Sequence, residues 1–111
     1  MTPASYNISI PQKADFSLTL QLKNSDGSPI NLTGYTIQAQ VWTTNKSKLL
    51  ASMVVNWVDR TTGKFTLSIP YSITSQIDTS GVWDLLVVSP IGHKDYWIRG
   101  KASLAIGYTD G

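Results

Sequence analysis

From Asp15 to Lys23 the chain alternates without a break. Phe16, Leu18, Leu20 and Leu22 take one phase, and Asp15, Ser17, Thr19, Gln21 and Lys23 take the other. A period of two cannot wrap a helix. It gives a strand with one apolar face and one wet face. The same rhythm returns in Tyr35, Ile37, Ala39 and Val41, opposite Thr36, Gln38, Gln40 and Trp42, and again in Phe65, Leu67 and Ile69. Turn residues break the runs roughly every eight to twelve positions, the spacing of a sandwich or barrel. Asn24-Ser25-Asp26-Gly27, Asp59 to Gly63 and Pro90-Ile91-Gly92-His93 are the clearest breaks. Helix formers are scarce, with six Ala and no Glu, while Val, Ile and Thr number 29.

These patterns predict an all-β, antiparallel β-sandwich of seven or eight strands in one domain spanning residues 1–111. Phe16, Leu18, Leu20, Ile37, Val41, Phe65, Leu67, Leu85, Val87 and Tyr96 are expected inside. One helical turn is expected over 71–77, with Ser72 as its cap and Ile73 and Ile77 on one face. Ile30 and Leu32 are expected to tuck under an edge of the sandwich. Leu49 to Val58 carries apolar residues on both phases, so its facing is ambiguous. Val82 to Val88 is apolar except at Asp84, which suggests a central strand covered on both faces or contacted by another subunit.

The chain offers little for catalysis. Cysteine is absent, which excludes a disulfide scaffold, a thiol nucleophile and a thiolate metal site. The lone histidine, His93, falls in a turn, and no nucleophile-elbow or glycine-rich phosphate loop occurs. Asn24 to Gly27 begins like a calcium loop, but the twelfth position is Tyr35, which is no bidentate acid. Asp84 reads either as a tuned acid or, more simply, as a residue on a solvated face. The expectation is a protein without enzymatic activity, cofactor or metal. Charged residues make up only 14% of the chain, net +2, with no basic stripe for nucleic acid. No apolar run approaches the roughly 20 residues of a membrane span. The N-terminus lacks the basic-then-apolar pattern of a secretory signal, so the sequons at Asn7, Asn31 and Asn45 carry no weight.

Tryptophan is the better functional signal. Trp83 lies in the apolar run and is expected in the core. Trp42 and Trp97 fall on phases shared with polar residues, and Arg99 follows Trp97 by two. A tryptophan on a wet face is covered by the protein's own second layer, anchors a protein interface, or stacks on a sugar. Trp42, Trp97 and Arg99 are therefore the candidate partner-binding residues, with Trp97 and Arg99 expected on one face.

Asp15-Phe16-Ser17-Leu18-Thr19-Leu20, followed by Asp26-Gly27-Ser28-Pro29-Ile30-Asn31-Leu32-Thr33-Gly34-Tyr35, resembles small tailed-phage virion proteins. Gly63 to Ile69, Trp83 to Val87 and Gly100 to Leu104 fit the same pattern. The chain is similar to the immunoglobulin-like N-terminal module of phage baseplate upper proteins and related tail adaptors, from about Tyr6 to Tyr108. The resemblance implies an immunoglobulin-like virion component that docks at the tail, baseplate or fibre attachment. It implies assembly in the host cytoplasm, self-association in a symmetric particle, and contacts with other virion proteins rather than nucleic acid or membrane. A capsid decoration protein and a module binding host-surface glycans are the alternatives.

Overall fold

The computed structural model describes residues 4–105. Nine strands form among the described residues: β1 (Ala4–Ser5), β2 (Ile8–Pro11), β3 (Phe16–Gln21), β4 (Thr36–Thr43), β5 (Leu49–Ser52), β6 (Val54–Asp59), β7 (Lys64–Ile69), β8 (Gly81–Val88) and β9 (Lys94–Ala105). The larger sheet runs β1-β9-β8-β4-β5, with β2 also on β9, and the smaller runs β3-β7-β6. The expected seven or eight strands become nine because two of them are split. The first divides at Tyr6 and Asn7. The ambiguous stretch from Leu49 to Val58 divides at Met53, whose N–H donates to the Ala39 carbonyl as the chain passes from one sheet to the other.

Period-two alternation explains the core. Ile37, Ala39 and Val41 of β4 and Trp83, Leu85 and Val87 of β8 are buried against Phe65, Leu67 and Ile69 of β7. No cysteine links the sheets, and the buried apolar cluster between them is the main clamp. Leu32 is fully buried and Ile30 packs beside it, as the bridging segment was expected to do. On β6, Val55 and Trp57 turn inward while Val54 and Val58 stay exposed, which resolves the two-faced pattern.

Three expectations need correction. Leu18 and Leu20 are only half-buried, because β3 is the edge of a three-stranded sheet and lacks a neighbour on one side. Tyr96, expected inside, is 44% exposed. The helical turn is shorter than expected, Tyr71–Thr74, and Ser72 does not cap it. Pro70 occupies the cap position, and the Tyr71 N–H instead donates to the Asp15 carboxylate at 2.7 Å. A distant strand end therefore supplies the cap. Thr74 anchors the turn by donating its buried hydroxyl to the Ala14 carbonyl at 2.7 Å.

Pairing within the sheets is antiparallel except at the first strands, where β1 and β2 run parallel to β9. The break between them is built around Gly100. The Tyr6 carbonyl lies where a Gly100 side chain would project, and it accepts a 2.8 Å hydrogen bond from the buried Trp83 indole Nε1. The Tyr6 ring meets the Trp83 ring edge-on at 6.5 Å. Asn7 completes the repair, its Oδ1 accepting from the Lys101 N–H at 2.9 Å. The register is the same on both sides: Ser5 faces Arg99, and Ile8 faces Ala102.

These contacts fix the expected cost of substitutions. Leu67→Ala, at a fully buried site, should cost about 2–5 kcal/mol in urea unfolding, and Leu20→Ala clearly less. Equal losses would mean that β3 is not an edge. Gly100→Ala should cost about 1–3 kcal/mol, because its methyl group collides with the Tyr6 carbonyl. A neutral result there would refute the close approach.

Candidate functional site

The outer face of the larger sheet carries no second layer of the described chain. On β8 the outward residues Val82, Asp84, Leu86 and Val88 are half-buried by their sheet neighbours. The register sets Gln40 and Arg99 on either side of Asp84, and Trp42 and Lys101 on either side of Val82. Around these residues lies an open groove of about 640 Å³, rimmed by Ser5 on β1 and by Lys46 in the loop between β4 and β5.

A bulge decides which β9 side chains reach it. Leu85 pairs with Ile98 but Leu86 pairs with Tyr96, so Trp97 is an extra residue with no partner across the ladder. Strict alternation would put Trp97 and Arg99 on one face. The inserted residue breaks that phase. Tyr96 and Arg99, three apart, both line the groove, whereas Trp97 packs against the core with its ring 6.5 Å from Tyr35. The shared face expected for Trp97 and Arg99 is therefore corrected, and Tyr96 takes the place given to Trp97. Trp42 and Arg99 both line the groove. Gln40 and Lys46 were not singled out from sequence, and Asp84 was weighed only as a tuned acid or a residue on a solvated face. Asp84 did leave a trace, as the one polar residue in the apolar run from Val82 to Val88.

Trp42 is held on both sides. Its Nε1 donates to the Gln40 Oε1 at 3.1 Å, and the Lys46 ammonium stands 5.6 Å from its ring centroid. Lys46 is aimed there by a left-handed backbone, φ 58°, in a loop pinned by the Thr43 hydroxyl and the Asn45 amide oxygen, both of which accept from the Ser47 N–H. At the centre of the groove, burial pushes the Asp84 carboxyl above its ordinary value, and the positive charges of Lys46 and Arg99 oppose that shift.

The remaining candidates resolve into structure. His93 is exposed in the connection between β8 and β9, its N–H donating to the Ser89 hydroxyl. The Asn24–Gly27 turn is closed by Ser28, whose hydroxyl and N–H donate to the Asp26 carboxylate and hold it below the usual carboxylate range. Among the described residues no cluster of three or more His or Asp side chains could hold a metal ion. No described helix is long and apolar enough to cross a membrane. The groove thus offers aromatic surface, amide and hydroxyl groups and charges of both signs. That inventory suits binding.

No protein-family model matches the chain, and no curated protein matches it. Similar folds occur among solved structures. A chain in the crystal structure of ICOS in complex with ICOS-L and an anti ICOS-L VNAR domain is 11% identical with a TM-score of 0.52. That match covers 95% of this chain and 56% of the other. The Lin-41 filamin domain is 17% identical with a TM-score of 0.49, over 89% of this chain and 84% of that one. The fold is an all-β, immunoglobulin-like sandwich.

Asp84 gives this site a measurable pH signature. A carboxyl whose pKa is raised by folding favours the native state fully below its unfolded value of 3.8, and that contribution is lost as pH rises through the folded value. Asp84→Asn should therefore melt at or above the wild-type temperature at pH 7, with the difference closing as the pH falls below 3.8. Thermal melts across that range test it. A variant less stable than wild type at pH 7 would show that the carboxylate is held by favourable contacts instead.

Proposed function

We propose that this protein is a non-catalytic docking module that binds another protein through the outer face of its larger sheet. The convergence of Trp42, Tyr96 and Arg99 on one uncovered groove carries this reading. Aromatic residues and arginine supply a disproportionate share of the energy in protein interfaces. Half-buried Val82 and Leu86 beside them provide the apolar centre that such anchors need. The resemblance to baseplate modules gives the setting: a tail, baseplate or fibre-attachment protein of a phage virion, working by attachment to neighbouring subunits and to copies of itself. A small, rigid sandwich suits repetition around a symmetric particle.

The test is to make Trp42→Ala and Arg99→Ala and follow folding, incorporation into particles and glycan binding. Trp42→Ala should keep the wild-type circular dichroism and lose about thirtyfold in affinity for its subunit partner, as expected for an anchor worth about 2 kcal/mol. Trp97→Ala is the contrast, since its ring packs on the core, and it should lower the melting temperature. Normal incorporation of Trp42→Ala together with lost glycan binding would replace docking by sugar recognition.

A further inference from the structure

The charges around the groove are unbalanced. Lys46, Arg99 and Lys101 line it against a single carboxylate, Asp84, a local excess of two positive charges. That excess equals the formal charge of the whole chain, +2. The six remaining Lys and Arg are matched in number by the six other aspartates. The groove's one carboxylate is itself held in a setting that disfavours the charged form.

The rim adds a second constraint. Among the described residues β1 is an edge strand of the larger sheet, and Ser5 on it borders the groove beside Arg99. An edge strand presents backbone donors and acceptors to whatever lies alongside. A polypeptide can satisfy that edge with its own backbone and still direct acidic side chains at the cations. An acidic sugar reaches that edge only through scattered hydroxyls, without the regular alternation of donor and acceptor that a strand offers. We infer that the groove receives an acidic segment of a partner protein, laid beside β1 with a carboxylate directed at Arg99. This rests on the docking reading above and adds the chemistry of the partner. Arg99 supplies charge-assisted hydrogen bonds, Lys46 and Lys101 supply long-range attraction, and Trp42 and Tyr96 give the segment apolar side chains to lie against.

Asp84 and Arg99 are neighbours in the ladder with opposite charges, so their substitutions should move affinity in opposite directions. The probe is a short fluorescein-labelled peptide of alternating Glu and Val, with counterparts carrying Gln or Lys in place of Glu, and an oligogalacturonate as acidic sugar. Binding to the full chain is read by anisotropy and located by amide chemical shifts at Ser5, Arg99 and Lys101. The Glu peptide should bind about tenfold tighter than the Gln peptide, and less tightly as salt rises. Arg99→Gln should weaken it about tenfold, and Asp84→Asn should strengthen it about threefold. Preference for the Lys peptide, with Asp84→Asn weakening binding, would overturn the acidic partner while leaving docking intact. Binding of oligogalacturonate with the Glu peptide silent would overturn both readings. Silence of every probe at the groove amides would overturn this inference alone.

Discussion

One extra residue in β9 organises the candidate site. Without the bulge at Trp97, the alternation running through Ile98 and Arg99 would carry Tyr96 into the core and leave Trp97 beside Arg99 on the surface. With it, the large indole is retired to the inner layer against Tyr35, and the phenol is turned outward. A bulge locally disrupts the ladder and bends its strand. Here that disruption falls between Leu85 and Leu86, at the middle of the sheet, and it turns Tyr96 to the outer face that Arg99 already shares. Trp42, Gln40 and Asp84 need no such device, because β4 and β8 pair in unbroken register from Thr36 to Thr43.

The other wall of the groove depends on a different economy of space. Gly100 has no side chain, so the Tyr6 carbonyl can sink toward the sheet and meet the Trp83 indole. The first strand is thereby held by one buried hydrogen bond and one aromatic contact, where it would otherwise be a two-residue edge pairing of little strength. The core and the site share this joint. Trp83 is 2% exposed and belongs to the core, yet the carbonyl it holds belongs to the connection that positions Ser5 and Asn7 at the rim.

Much of this architecture was legible in the chain. Strict alternation located β3, β4 and β7 and most of their inward residues, because facing follows directly from a period of two, while β8 was located by its nearly continuous apolar run. Polar turns located the breaks, and Trp83 announced itself by its apolar neighbours. The misses share a physical origin. Tyr96 and Trp97 were misfaced because a bulge shifts phase by one residue and leaves no mark in an alternating pattern. Leu18 and Leu20 proved half-buried because position at a sheet edge is a property of topology. The cap on Tyr71 comes from Asp15, 56 residues away, and local capping rules look only at neighbours. Of the candidate site, Trp42 and Arg99 were visible as residue types on outward phases. Lys46 was not, since its approach to Trp42 depends on the left-handed backbone of a polar loop.

The parallel pairing of the first strands with the last bears on how the molecule carries mechanical load. Ala4 lies across from Ile98 and Pro11 across from Ala105, so β1 and β2 follow β9 over seven residue steps, about 23 Å at the usual rise per residue. Tension applied between residue 4 and residue 105 draws the first strands and β9 past each other along their length. The hydrogen bonds between them are then strained together, in shear, instead of opening one after another from an end. Antiparallel edges joined at a hairpin would peel under the same pull. A sandwich whose ends lie on parallel neighbours resists extension with its whole terminal ladder at once.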